Sequence, residues 1–412
     1  MKPKAFVLFC FIFFSFVLQA EIRNEPIAVY LSWQHDPTTT MTVQWVSPLD
    51  QENDEIFYRQ NGDKSWQIAV GSHSPFPENE PLLLHRVELT GLTPNSPYFF
   101  RTGWQSKEYK FRTMPDNLDC PLRFVVGGDM YHDDVKTLVE TNQQAAAQDP
   151  HFALVGGDIA YAASSSLEKE KRQRWLTWLI VWKQYMVTRE GFLIPMLTTI
   201  GNHDTNGQYG QTPKQAPFFY FLFPFPGEQG SNVIDFGNYL SIVALDTGHT
   251  HPIPGAQTFW LYQTLQSRSQ MPHKFAFYHV PAFPSVRDFN GERHVLIRQN
   301  WVPIFENFGL TAAFEHHDHA YKRTHPLYEG KVDYAKGVLY LGDGAWGIKK
   351  PRQPRKPEKD SYLAATASVR HFILVTLSKN YRYYQAIDYL GNIVDAYSQK
   401  VVNEHLPACH CP

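Results

Sequence analysis

The sequence predicts two domains in tandem: an N-terminal β-sandwich over residues 21–115 and a layered α/β domain over residues 116–400. Three features predict this. Up to Thr113, short runs alternate apolar with polar or aromatic residues and are separated by turn clusters. After Leu122, short apolar runs alternate with longer helix-compatible stretches. Most of those later runs end on an Asp, Asn or His.

In chain order the first segment is 1–20. Lys2 and Lys4 precede an almost wholly apolar stretch from Ala5 to Leu18, and Gln19-Ala20 then meets polar Glu21-Ile-Arg-Asn-Glu25. This is the layout of a secretory signal cut after Ala20. The run is short for a bilayer core of about 30 Å. The mature chain is therefore expected to be secreted or periplasmic, with no membrane attachment after signal removal. Cys10 leaves with the signal, and bulky Phe9 before it argues against a lipoprotein site. Cys120, Cys409 and Cys411 remain, which allows one disulfide and one thiol left over. Cys409-His410-Cys411 in the tail, 401–412, reads as a loosely held terminus in preference to a metal clip. A formal net charge of -2 gives no basic footprint, so nucleic acid is not expected as a partner.

Within the first domain, Ala28-Val-Tyr-Leu-Ser-Trp33, Met41-Thr-Val-Gln-Trp-Val46, Ile56-Phe-Tyr58, His85-Arg-Val-Glu-Leu89 and Tyr98-Phe-Phe-Arg-Thr102 read as strands. Turns fall at Asp36-Pro-Thr and Pro94-Asn-Ser-Pro97. Leu89-Thr-Gly-Leu-Thr-Pro-Asn-Ser-Pro-Tyr98 resembles the corner before a late strand in fibronectin type III-like domains.

In the second domain, buried strands are expected at Phe124-Val-Val, Phe152-Ala-Leu-Val, Met196-Leu-Thr-Thr-Ile, Leu240-Ser-Ile-Val-Ala-Leu, Lys274-Phe-Ala-Phe-Tyr and Leu310-Thr-Ala-Ala-Phe. Helices are expected over 135–147, 166–185 and 259–267. Pro224-Phe-Pro-Gly-Glu-Gln-Gly230 and the basic run 349–357 read as loops, the second as a solvated surface.

The polar residues that close the strands carry the chemistry. Phe124-Val-Val-Gly-Gly leads into Asp129, and Phe152-Ala-Leu-Val-Gly-Gly leads into Asp158, with Tyr161 three residues on. Leu197-Thr-Thr-Ile-Gly leads into Asn202, His203 and Asp204; Phe275-Ala-Phe-Tyr leads into His279; Ala312-Ala-Phe-Glu-His leads into His317-Asp318-His319. One Gly-Asp after a strand is usually a turn. Five such pieces at the carboxyl ends of strands, where α/β sheets place their sites, describe a polynuclear metal centre. Carboxylate and imidazole bind transition metals, and a phenolate with oxygen ligands favours a harder ion such as ferric iron.

Gly128-Asp129, Gly157-Asp158-Ile-Ala-Tyr161, Gly201-Asn202-His203-Asp204, Tyr278-His279-Val-Pro and His317-Asp318-His319-Ala-Tyr-Lys-Arg-Thr resemble the five motif blocks of the purple acid phosphatases. These are the Tyr-containing branch of the calcineurin-like metallophosphoesterases. Phe236-Gly-Asn-Tyr, Leu245-Asp246-Thr and Gln257-Thr-Phe-Trp-Leu are similar to theirs as well. The resemblance implies an α/β/β/α metallophosphoesterase domain behind the sandwich. It further implies a binuclear centre, with Fe(III) on Asp129, Tyr161, His319 and a shared Asp158. A second, divalent ion (Fe, Zn or Mn) would sit on Asn202, His279, His317 and the same Asp158. His203 would be catalytic, as a phosphate contact or proton donor. In the loop 284–294 His294 is a second catalytic candidate, weighed equally against a solvated surface histidine, with Arg293 as a phosphate clamp.

The implied activity is acid phosphatase action on a small phosphate monoester, through a metal-bound hydroxide. Two departures bear on it: Tyr131 and His316 stand where the family has glycine, and a bulky residue forced to positive φ would cost about 1–3 kcal/mol. Two other readings stay open. One is a phosphodiesterase or nucleotide hydrolase, its pocket reshaped by the aromatic insert Phe218-Phe-Tyr-Phe-Leu-Phe-Pro-Phe225. The other is an exported binding protein with a degenerate phosphatase domain. The sandwich is a candidate surface for homodimer contacts.

Overall fold

The computed structural model describes residues 25–163, 171–224, 230–342 and 344–401. The signal segment, most of the tail, and Cys409 and Cys411 lie outside the described residues. No helix among the described residues is long and apolar enough to cross a membrane.

The first domain is a sandwich of two four-stranded sheets. One has the order β1 (Ala28–Ser32), β2 (Met41–Pro48), β6 (Leu82–Leu89), β5 (Ser72–Pro75). The other runs β4 (Gln67–Val70), β3 (Glu55–Gln60), β7 (Pro97–Thr102), β8 (Tyr109–Arg112). The corner read from the sequence is present: the Thr93 amide donates to the Tyr98 hydroxyl at 2.8 Å, which fixes the entry to β7.

Behind it lie two larger sheets face to face. The six-stranded sheet has the order β11 (Met196–Thr199), β10 (Phe152–Gly156), β9 (Leu122–Gly127), β21 (His371–Leu377), β22 (Tyr381–Asp388), β23 (Ile393–Lys400). The seven-stranded sheet runs β12 (Asn232–Phe236), β13 (Leu240–Ala244), β14 (His273–Tyr278), β15 (Ala312–Glu315), β19 (Leu339–Gly342), β16 (Tyr321–Thr324), β20 (Leu363–Ala367). A small hairpin, β17 (Leu327–Tyr328) and β18 (Lys331–Val332), completes the strands. β9, β10 and β11 are mutually parallel, as are β13, β14, β15 and β19. Strands covered on both faces read as continuous apolar runs, which is why they stand out in the sequence.

Phenylalanines fill the space between the sheets. Phe124 stacks on Phe152 at 4.8 Å and meets Phe275 and Phe314 edge-on at 5.8 and 6.2 Å. Trp33 of the sandwich enters the same cluster beside Phe152 and Phe236, so one core joins the domains. Helices α1 (Val135–Ala146), α2 (Arg172–Tyr185) and α3 (Pro217–Leu222) pack on the outer face of the six-stranded sheet. Helices α4 (Ala256–Ser267), α5 (Glu292–Asn300) and α6 (Val302–Asn307) cover the other. The layers are thus α/β/β/α, as expected. α1 begins where Asp134 accepts from the Thr137 amide at 2.8 Å.

The described part of the aromatic insert packs into the core. Phe218, Phe219 and Leu222 are buried, and with Phe223 they join the core that also holds Tyr30, Trp175 and Trp178.

Candidate metal centre

The five parallel strands β9, β10, β11, β14 and β15 stop at the same rim, and the residue types singled out in the sequence follow within a few positions. The loops after β9 and β10 are zipped together: Asp129, Met130 and Tyr131 amides donate to the carbonyls of Gly157, Asp158 and Ile159 at 3.0–3.1 Å. Asp129, Asp158, Tyr161, His317 and His319 all have positive φ, between 50° and 69°. Each such turn costs on the order of 1 kcal/mol for a residue with a side chain, so the surrounding bonds must enforce it.

Two groups of donor atoms result. Asp129 Oδ1 lies 2.8 Å from the Tyr161 hydroxyl and 2.8 Å from His319 Nε2, which are 3.2 Å from one another. Beside them His279 Nε2 lies 3.1 Å from Asn202 Oδ1, 3.1 Å from His317 Nδ1 and 3.3 Å from Asp158 Oδ2. His279 Nδ1 donates to the Gly156 carbonyl at 2.9 Å, so in the neutral ring Nε2 presents a lone pair toward two oxygens, Asn202 Oδ1 and Asp158 Oδ2, and toward His317 Nδ1. A concentration of lone pairs around one point fits a cation. The donor sets also differ in kind. The first is rich in oxygen and holds the phenol; the second holds two imidazoles and an amide oxygen.

The electrostatics agree. Against burial, which would raise both, His319 and His279 hold the Asp129 carboxyl below its ordinary range, and His279 and His203 do the same for Asp158. Burial would lower His279, but Asp158 and Asp129 carry it up to about 9, a proton standing where a metal charge belongs. Burial and the charges of Asp129 and Asp158 push the Tyr161 phenol well above its usual value, so only a highly charged cation would hold it as phenolate.

Comparison with known proteins agrees with this geometry. Residues 26–113 match the purple acid phosphatase N-terminal domain, and residues 122–321 match the calcineurin-like phosphoesterase family. The chain belongs to the purple acid phosphatase family. Purple acid phosphatase 21 of Arabidopsis thaliana is 25% identical over 291 residues, covering 68% of this chain and 63% of that protein. Purple acid phosphatase 15 of the same plant is 25% identical over 293 residues, covering 64% and 53%. The matched region thus spans less than two thirds of either relative. Among solved structures, the purple acid phosphatase PPD1 from yellow lupin (Lupinus luteus) seeds superposes with a TM-score of 0.74 at 18% identity, covering 91% of this chain and 74% of that one.

The two departures from the purple acid phosphatase pattern are not strained. Neither Tyr131 nor His316 has positive φ; the left-handed turns belong to the ligand residues themselves. Tyr131 lies under the Arg174 guanidinium, 4.0 Å from its ring centroid, with its carbonyl bonded by the same arginine. His316 is buried and donates from Nδ1 to the Tyr278 carbonyl at 2.9 Å. Its ring occupies space that a side chain at Gly156 or Gly128 would take: a Cβ on Gly156 would fall 1.9 Å from His316 Cε1. One bulky residue has replaced a glycine, and Gly156 on the neighbouring sheet leaves the room. Gly156→Ala is accordingly expected to destabilise the fold by about 1–3 kcal/mol. Adding His316→Gly should recover part of that loss in a double-mutant cycle of urea midpoints. Additive losses would remove the steric account.

His203 is held by its amide to Asp158 Oδ1 at 2.7 Å and stacks on Tyr161 at 4.6 Å. His294 is buried, not solvated, and its Nδ1 donates to the Pro281 carbonyl at 2.6 Å. Among the described residues, no hydrogen bond or ion pair joins it to either donor group. Arg293 does reach the rim: its guanidinium covers the Tyr209 ring at 3.6 Å. Tyr209 itself escaped the sequence reading, although its hydroxyl lies 3.4 Å from both Asn202 Oδ1 and His317 Nε2. The glycine-flanked Asn206-Gly-Gln-Tyr209-Gly stretch just after the Asn-His-Asp block was the available signal. His132 was missed too, and it stands edge-on to both Tyr161 and His319 at 4.9 and 5.2 Å. The basic run 349–357 is not merely a solvated surface. The Arg352 amide donates to the His319 carbonyl at 2.9 Å, and Arg355 binds the carbonyls of Pro284, Val286 and Arg287.

Proposed function

We propose that this chain hydrolyses phosphate esters at a two-ion centre, that its substrates are small monoesters, and that it acts outside the cytoplasm after export. The observation that carries the reading is the set of facing lone pairs on Asp158, Asn202, His279 and His317, beside the Asp129–Tyr161–His319 group. By their chemistry Asp129, Tyr161 and His319 would hold ferric iron, while Asn202, His279 and His317 would hold a divalent iron, zinc or manganese ion, with Asp158 shared between them. Such a pair supplies an activated water and a clamp for phosphate oxygens.

The side chains do the rest. Tyr161 is fixed by Asp129 and faced by His203, so these three set the wall on which the ester lies. His203 Nδ1 donates to the Ala163 carbonyl at 3.3 Å, which leaves Nε2 as the atom able to pass a proton to the leaving alkoxide. Arg293, supported on Tyr209, brings a fixed positive charge toward the same rim for a phosphate oxygen. His294, buried against Pro281, would act by fixing the first turn of α5, which carries Arg293.

Metal analysis with a visible spectrum, followed by turnover of mono- and bis-aryl phosphates, tests the proposal. Two ions per chain, a violet-to-purple band lost in Tyr161→Phe, and preference for the monoester are expected. A colourless, metal-free protein inactive on aryl phosphates at acidic and neutral pH would defeat it.

A further inference from the structure

The N-terminal sandwich contains a second group of metal-capable side chains, built from other strands than those of the centre. His73 on β5 and His85 on β6 are direct cross-strand partners, so their side chains leave the same face of the sheet. Asp54, just before β3 of the opposite sheet, reaches across to both. Its Oδ1 lies 2.7 Å from His85 Nδ1, and its Oδ2 lies 2.9 Å from His73 Nδ1. One ligand atom from each residue falls within 4.8 Å of the others. The Asp54 carbonyl is tied to the Gly71 amide at 3.2 Å, which fixes where the carboxylate stands.

The far side of His85 is anchored within the sandwich. Its Nε2 faces Ser47 Oγ at 2.7 Å. Ser47 Oγ also has the carbonyls of Pro48 and Gln51 within reach, at 3.1 and 3.2 Å. With its hydrogen on either carbonyl, Ser47 Oγ accepts from Nε2, the tautomer in which Nδ1 presents its lone pair on the Asp54 side. His85 Nδ1 faces the Asp54 carboxylate at 2.7 Å, and His73 Nδ1 faces the same carboxylate at 2.9 Å. Two imidazole nitrogens converging on one carboxylate match the ligand types of a metal site.

We propose that Asp54, His73 and His85 form a Zn²⁺ site that clips the two sheets of the sandwich together. Two imidazole nitrogens, one carboxylate oxygen and an open fourth position for water suit zinc. The Asp54–histidine separations of 2.7 and 2.9 Å need to open only slightly to reach the ~3.3 Å that tetrahedral bonds of about 2.0–2.1 Å require. Trp45 stacks flat on the His85 ring at 4.6 Å and fixes its orientation. His85 is fully buried, whereas the side chains of His73 and Asp54 are 28% and 17% exposed, so an ion enters from their side.

The test uses the full chain stripped of metal and titrated with Zn²⁺ by calorimetry, with bound zinc counted after dialysis. Wild type should bind one Zn²⁺ per chain more than His73→Ala. Asp54→Asn should weaken that same step at least about tenfold. Zn²⁺ should also raise the melting temperature of wild type more than that of either variant. Because the readout is a difference between wild type and variant, filling of the binuclear centre does not affect it. His73 is partly exposed, and melting without zinc reports whether its replacement folds; Asp54→Asn keeps the test open if it does not. Equal zinc counts and affinities in wild type and a folded variant overturn the proposal.

Discussion

Asp158→Asn is expected to lower turnover of an aryl phosphate by about three orders of magnitude or more, a loss of ~4 kcal/mol in transition-state stabilisation. The substitution is close to isosteric. Asparagine Oδ1 can still accept the His203 amide, now 2.7 Å from the aspartate, so the loop after β10 keeps its anchor. What changes is charge. The amide has no second anionic oxygen to set against His279, 3.3 Å away, and the shared ligand of the proposed pair loses its negative charge. Steady-state kinetics with metal analysis on a variant of unchanged melting temperature gives the answer. Wild-type turnover in a variant shown to carry the substitution would be incompatible with a centre organised around Asp158.

Lys322→Met is expected to destabilise the fold by about 3–5 kcal/mol, because it strands a buried carboxylate. Glu315 and Lys322 are both essentially inaccessible and form a direct ion pair. Glu315 also accepts from the Tyr278 hydroxyl at 2.8 Å and the Ala282 amide at 2.6 Å, while Lys322 donates to the Phe283 carbonyl. The pair thus ties the end of β15, immediately before His316 and His317, to the segment following His279. Guanidinium unfolding measures the loss. The double variant Glu315→Gln, Lys322→Met should recover much of it, since no uncompensated charge then remains. A single variant within about 0.5 kcal/mol of wild type would show that the pair contributes little.

The candidate centre was legible in the sequence because the proposed ligands follow strands buried on both faces. Phe152-Ala-Leu-Val-Gly-Gly before Asp158 is a local signal: an uninterrupted apolar run ends, and a polar residue follows at the sheet rim. Where the structure depends on distant pairing, the text falls silent. β4 and β5 at the edges of the sandwich expose most of their residues, including Ile68 and Val70, so no apolar pattern marks them. β21 pairs antiparallel with β9 from the far end of the chain, and nothing near Leu122 announces that neighbour. Tyr209 meets His317 across 108 positions. His316 reads as an intruder until Gly156, on another sheet, is seen to make way for it. The cross-strand histidines of the sandwich are invisible for the same reason, since His73 and His85 become partners only through the register of β5 against β6.

The left-handed turns at Asp129, Asp158, Tyr161, His317 and His319 set stability and chemistry against one another at the same positions. Glycine would relax each of these backbones, and no ligand atom would remain. Selection for heat tolerance alone would therefore drift toward glycine at the rim and yield a sturdier protein with an empty centre. Improving the thermal tolerance of this chain without harming it means leaving those five turns tense and working elsewhere, in the helices and the sandwich.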